Sequence, residues 1–348
     1  MAPLEAAYNE SINKSLDVVT DSKWVKMFPQ CVADADKSSN FMTRALYVGF
    51  SAILSKRGVL GPEFFSKNHI TEKLKCMSLC FKNSKALQIS QLLKNAGDAI
   101  KKGYLKEISL VITENEGDVD AIEVYSFKFH YFKNGGVAAQ LSTKVKTDEP
   151  SPFEKLTELD YQGTETVRNQ LVMMTRSISH ICEKVLEPLP NEFDANFRID
   201  YTDEAPLNYR IEGFFDSSTF YTLPNDIQSA TLGHLRPGYH ASLLDVSSIC
   251  IPDTYAAELS LKRHAEKTAE KLGYTADGIL YKSFSFDGNA SNTTSDAVRG
   301  NDSTMENLAN SLASSTTLIP TVVKKNGKKS DHSSSARVAP YSKGRSRK

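Results

Sequence analysis

The segment NFMTRALYVGFSAILSKRG, residues 40–58, carries apolar or small side chains around almost its whole circumference: Phe41, Met42, Ala45, Leu46, Val48, Phe50, Ile53 and Leu54. A helix that is apolar on every side must be buried on every side. The pattern therefore predicts a helix through the middle of a domain, stopped by Gly58 and Pro62, with the rest of the chain wrapped around it. A second helix, over about 84–102, places Ile89, Leu92, Leu93, Ala96 and Ile100 on one face and ends at Gly103. A third, about 164–187, spaces Val167, Leu171, Met174, Ile178, Ile181 and Val185 alternately four and three apart, which is a packing seam, and Pro188 and Pro190 close it.

Strands lie between these helices. LKEISLVI (105–112) is one. IEVYSFKFHYF (122–132) alternates Tyr125, Phe127, Phe129 and Tyr131 with Ser126, Lys128 and His130, the pattern of a half-buried antiparallel strand. Asn134-Gly135-Gly136 supplies the positive-φ residues of a tight hairpin, with VAAQLSTKV as the return strand. FRIDY (197–201) alternates again, and HASLLDVSSICI (240–251) reads as a strand after an irregular, aromatic-rich stretch. A polar helix over about 254–272 follows, capped by Gly273, and from about 283 the Ser/Thr/Asn/Gly-rich chain has too few core formers to fold by itself. The order predicts an α+β domain, with three main helices packed on one face of an antiparallel sheet.

No reaction-class signature is present: there is no G-x-S-x-G elbow, P-loop or H-E-x-x-H. No catalytic residue, cofactor site or metal site is assigned. Cys76 and Cys80, four apart, would share a helical face, but with no second pair nearby they read as packing. Five scattered cysteines fit a reducing compartment. No apolar run reaches the ~20 residues of a membrane span, and MAPLEAAYNES lacks the basic region and apolar core of a secretion signal.

Formal net charge is zero, yet residues 321–348 hold nine Lys/Arg and one Asp, leaving the remainder acidic. Such a tail suits a nuclear address or weak, nonspecific contact with nucleic acid. Within it, ARVAPYSKGRSRK (336–348) sets Val338, Pro340 and Tyr341 among basic residues, and TTLIPTVVKK (316–325) is a second apolar island.

YTDEAPLNYRIEGFF (201–215) carries a resemblance. A strand gives way to a tyrosine, an acidic turn, a proline, a second tyrosine and a Gly-Phe pair, at Tyr201, Asp203, Pro206, Tyr209, Gly213 and Phe214. This stretch resembles HORMA-domain proteins. LGHLRPGYHASLLDVSS (232–248), the apolar helix leading into LSKRGVLGPEFF, and the strands from 105 to 131 extend the likeness over about residues 30–255. Ile211-Glu212 stands where the commoner form has a further proline. The long Ser-rich basic tail resembles that of meiotic chromosome-axis members of nematode type.

The resemblance implies a HORMA fold whose C-terminal "safety belt", about 201–255, fastens over a short extended peptide called a closure motif. Its clamp would comprise Tyr201, Pro206, Tyr209, Gly213, Phe214, Gly233, His240 and Leu244. It further implies a mobile segment 1–25, a HORMA domain over 26–255, a helix and linker over 256–330, and a tail 331–348 with its own closure motif at Val338, Pro340 and Tyr341, preferred to the 316–325 island. The expected partners are closure-motif peptides of other axis proteins, further copies joined head to tail, and an AAA+ ATPase that reopens the belt. The expected place is the meiotic chromosome axis in the nucleus. A spindle-checkpoint or DNA-repair HORMA adaptor is the alternative within the family, and a hydrolase using Cys182 or Cys250 the alternative outside it.

Overall fold

The computed structural model describes residues 28, 34–71, 74–132, 156, 160–217, 221–274, 316–318 and 321–322. Helix α1 (Ala35–Lys56) starts ahead of the apolar run, because the Asp34 side chain accepts the Lys37 N–H at 2.7 Å and caps it there. Its middle is buried on all sides, as the sequence requires. Phe50 meets Phe127 and Phe197 edge to face at 5.0 and 4.9 Å, which seats the helix across two strands of the sheet.

A short 3-10 turn (Pro62–Phe64) leads into a separate antiparallel pair, β1 (Phe65–Thr71) and β2 (Leu74–Leu79). Cys76 lies in β2 and Cys80 just after it, so the two do not share a helical face. Helix α2 (Ser84–Lys102) is capped by Asn83 at one end and by Gly103, at φ 75°, at the other. Then come β3 (Leu105–Thr113), β4 (Ala121–Tyr131), α3 (Thr164–Lys184), β5 (Asp194–Tyr201), β6 (Phe214–Asp216), β7 (Gln228–Leu235), β8 (His240–Ser248) and α4 (Thr254–Leu272). The hairpin expected at 134–145 falls outside the described residues.

Among the described residues the fold has four helices, the three expected main ones and the polar helix expected over about 254–272. Helix α4 packs onto α3 and β7 through Ala257, Leu261 and Ala265. The main sheet is antiparallel, ordered β6-β9-β5-β3-β4-β8-β7. Strand β9 is Thr316–Leu318, and β10 (Thr321–Val322) also pairs with β5.

One face of the sheet meets the helices through Ile108, Leu110, Phe127, Phe197, Ile199 and Leu244. The alternation of β4 predicts a solvated opposite face, but Ser126 on that face is buried against Ser109 at 2.8 Å. Val111, Ala121 and Val124, also there, are covered by Tyr221 from the segment between β6 and β7.

Candidate strand-capture site

β5 ends at Tyr201, whose side chain is buried and whose phenol oxygen accepts the Ile211 N–H at 3.0 Å. That bond closes the acidic turn 202–210 into a compact loop. Within the loop the Tyr209 N–H donates to the Pro206 carbonyl at 2.8 Å. The Tyr209 ring stands edge to face against Tyr104 and Tyr201, with Lys102 Nζ 4.7 Å above it.

Helix α2 holds the next residues. Asn95 Nδ2 donates to the Glu212 carbonyl at 2.9 Å. Gly213 follows at φ 88°, and a Cβ there would come within 2.4 Å of Leu92 Cδ2. Only glycine combines that φ with so close an approach. The turn delivers Phe214, 5% exposed, into the core as the first residue of β6.

β6 does not touch β5. Strand β9 lies between them, pairing Arg198 with Thr317 and Ile199 with Thr316 on one side, and Phe214 with Leu318, Phe215 with Thr317 and Asp216 with Thr316 on the other. Arg210 and Asp216 form an ion pair at 2.7 Å where the loop enters β6. Beyond β6, Thr222 exchanges backbone hydrogen bonds with Val119 and Ala121 at the β3–β4 turn. Tyr221 lies over the back of the sheet, beneath the guanidinium of Arg198 at 5.7 Å. Burial pushes its phenol up to about 12, so it stays protonated.

The chain thus leaves β5, passes outside β9, crosses the sheet and reaches the opposite edge as the β7–β8 hairpin. The strand between β5 and β6 is enclosed by a loop fastened at both ends.

The far fastening involves residues the sequence singled out, though not as contacts of the captured strand. His240 begins β8 against Tyr131, with Nδ1 2.8 Å from Ser38 Oγ. Burial takes its pKa down to about 4, so it is neutral near pH 7. Leu244 is fully buried opposite Phe127. Gly233 brings β7 onto α3, where a Cβ would lie 2.9 Å from Met174 Cβ. The eight clamp residues therefore divide. Phe214 pairs with β9, and Tyr201, Pro206, Tyr209 and Gly213 build the loop that leads into β6, while Gly233, His240 and Leu244 dock the hairpin at the other edge.

Sequence reasoning passed over several further fasteners. Arg236, 1% exposed, donates from its backbone N–H to Gln170 at 3.0 Å and lays its guanidinium over Phe132 at 3.5 Å. Burial lowers its pKa to about 10, which leaves it charged near pH 7. At the other end of β8, Ser248 Oγ donates to Glu123 Oε2 at 2.9 Å, and Glu123 is paired with Arg57 at 2.7 and 2.9 Å. Arg57 stood in the segment carrying the resemblance; its partners lie 66 and more residues away, beyond the reach of local pattern.

Cys182 is buried beside the Tyr125 hydroxyl, and burial lifts its thiol to about 12. It is held as a thiol, not as a nucleophilic thiolate. Val338, Pro340 and Tyr341 lie outside the described residues. The strand seen under the crossing segment comes from the other island.

A sequence model of the HORMA domain matches residues 38–240. The chain belongs to the HORMA-domain family.

HORMA-domain proteins are non-enzymatic adaptors, and the close structural neighbours are peptide complexes. The fold is similar to Caenorhabditis elegans HTP-1 bound to a HIM-3 closure motif, at 61% identity and a TM-score of 0.63 over 68% of this chain and all of that one. C. elegans HTP-2 bound to HTP-3 closure motif 1 is similar at 58% identity, a TM-score of 0.63, and 70% and 99% coverage. HORMA domain-containing protein 1 of Mus musculus is 29% identical over 228 residues, 64% of this chain and 55% of that protein. HORMA domain-containing protein 2 of Bos taurus is 22% identical over 68% of this chain and 75% of its own length. The chain spans about half the length of the first of these mammalian relatives.

Proposed function

We propose that this HORMA protein is a meiotic chromosome-axis adaptor that captures closure-motif peptides of partner axis proteins beneath its safety belt. The observation that carries the reading is strand β9, held between β5 and β6 and enclosed by the segment that crosses to the β7–β8 hairpin. This is β-augmentation with a lock: backbone hydrogen bonds supply much of the affinity, and release requires the belt to open. Similarity to relatives bound to closure motifs supports the same reading.

In this account the occupant here is the chain's own 316–322 segment, so the free protein is self-closed. Forty-three residues separate α4 from β9, and a random coil of that length spans roughly 35–40 Å, enough to reach the chain's own belt or a neighbour's. Capture between copies is heterologous and builds open chains. The 336–348 segment, with Val338, Pro340 and Tyr341, is then available to a partner's belt.

An AAA+ ATPase acting on residues 1–25 would reopen the belt. Axis assembly, pairing, synapsis, crossover control and checkpoint signalling in the nucleus would follow from regulated capture, with the basic tail adding weak contact to nucleic acid.

The test is capture by the full-length chain of immobilised peptides spanning 312–329 and 331–348. Slow dissociation of either supports the adaptor reading. Failure of both, even after the chain's own 316–322 segment is replaced by Gly/Ser, contradicts it.

A further inference from the structure

At the N-terminal end of β5, Asp194 pairs with Thr113 of β3 on one side and Val322 of β10 on the other. Asp194 is 2% exposed. One carboxylate oxygen accepts from Asn196 Nδ2 at 2.5 Å, whereas the other, Oδ1, has no hydrogen-bond partner among the described residues. A buried acceptor left unmatched is costly, so it marks a place where a donor belongs.

Residues 113–123 and 186–196, the chain stretches that meet at this end, contain no Lys, Arg or His and include Glu114, Glu116, Asp118 and Glu192. Burial, with a smaller push from Glu116, raises the Asp194 pKa against the hydrogen bonds from the Ala195 backbone and Asn196. Arg198, four residues along β5, counteracts this electrostatically and is engaged with the Tyr221 ring.

The tail strand runs antiparallel to β5, so its C-terminal side points to this acidic end. Alternate residues of a strand share a face. Val322 stands opposite Asp194, and in the sequence Lys324, Lys325, Lys328 and Lys329 follow it.

Building on the capture reading above, we infer that Asp194, with Glu116 and Glu192, forms a charge-reading exit that takes a Lys or Arg two or three residues beyond the paired core of the captured strand. A lysine ammonium supplies the donor that Asp194 Oδ1 lacks, and a charge-assisted bond in a partly dry site is stronger than a neutral one. The exit therefore reads the charge on the C-terminal flank of the captured strand.

The test uses the full-length chain with 316–322 replaced by Gly/Ser as receptor and a fluorescent peptide spanning 312–329 as probe. Charge reversal in the peptide (Lys324→Glu with Lys325→Glu) should weaken binding about tenfold at low salt. The isosteric receptor variant Asp194→Asn should reduce that difference to about twofold or less and flatten the salt dependence. If the native peptide binds and the reversed peptide binds equally well, the exit is refuted while capture stands. If the reversal weakens binding equally in the Asp194→Asn receptor, the charge is read elsewhere and the assignment to Asp194 is overturned. No binding of the native peptide refutes capture of this segment and, with it, the exit.

Discussion

The side-chain amide of Asn95 in α2 donates a hydrogen bond, 2.9 Å long, to the backbone carbonyl of Glu212, 117 residues further along the chain. Gln91 orients that amide by donating to its oxygen at 2.7 Å. The bond ties the helical layer to the belt one residue before the glycine that turns Phe214 inward. Asn95→Leu leaves the Glu212 carbonyl unmatched at the edge of the core, at a cost of about 1–3 kcal/mol. The expected outcome is a faster off-rate for bound peptide in a chase experiment, with only a small loss in melting temperature, because the rest of the core is untouched.

Phe214 and Gly213 anchor the belt by different means, and their variants should separate. Phe214→Ala removes a buried ring and should destabilise the fold by about 3–5 kcal/mol, read by chemical denaturation. Gly213→Ala imposes a left-handed φ on an L-residue and crowds Leu92, a local strain of about 1–3 kcal/mol. Its effect should concentrate in peptide release.

Arg57, Glu123 and Ser248 join the end of α1, the centre of the sheet and the end of the belt hairpin. Burial alone would lower the Arg57 pKa, but the Glu123 carboxylate raises it above its ordinary value. Glu123→Gln strands a buried guanidinium and should cost about 3–5 kcal/mol. The double variant Arg57→Met with Glu123→Leu should be distinctly less damaging than that single change, because no buried charge remains uncompensated. A double-mutant cycle in urea measures the difference.

His240 gives the belt hairpin a pH dependence. Its folded-state pKa lies near 4, lowered first by burial and also by Arg236, against an ordinary value of 6.5. The unfolded chain therefore binds the proton more readily. The contribution of neutral His240 is complete above pH 6.5 and is lost as pH falls from 6.5 towards 4, by up to about 3 kcal/mol. Denaturation at stepped pH should show that decline. His240→Gln should flatten it, leaving the smaller slope from His130, His180 and His264, whose pKa values are also lowered.

The helices were legible in the sequence because their signals are local. The apolar circumference of α1, the four-three seam of α3 and the Gly103 and Gly273 caps all lie within a few turns of the residues they govern. The β3, β4 and β5 strands were legible for the same reason. What local pattern could not supply was the belt's path. Ser126 alternates as a solvated residue should, and it is buried only because Tyr221, 95 positions later, crosses over it. Helix α4 read as polar, yet its small residues Ala257, Ala265 and Ala269 permit close packing on α3. The division of the clamp residues between two edges of one sheet is likewise a property of topology. So is the seating of 316–322 beside β5: the sequence reading preferred the 336–348 segment, and the edge of β5 that receives 316–322 is made by residues more than a hundred positions away.

The measurement that bears most directly on the strand under the belt is amide hydrogen exchange of the full-length chain, resolved across residues 274–348. The account predicts that 316–318 and 321–322 exchange as slowly as β5, and that Gly213→Ala removes this protection while β3 and β4 keep theirs. Exchange of 316–322 at the rate of an unstructured peptide, with the belt segment itself protected, would contradict it.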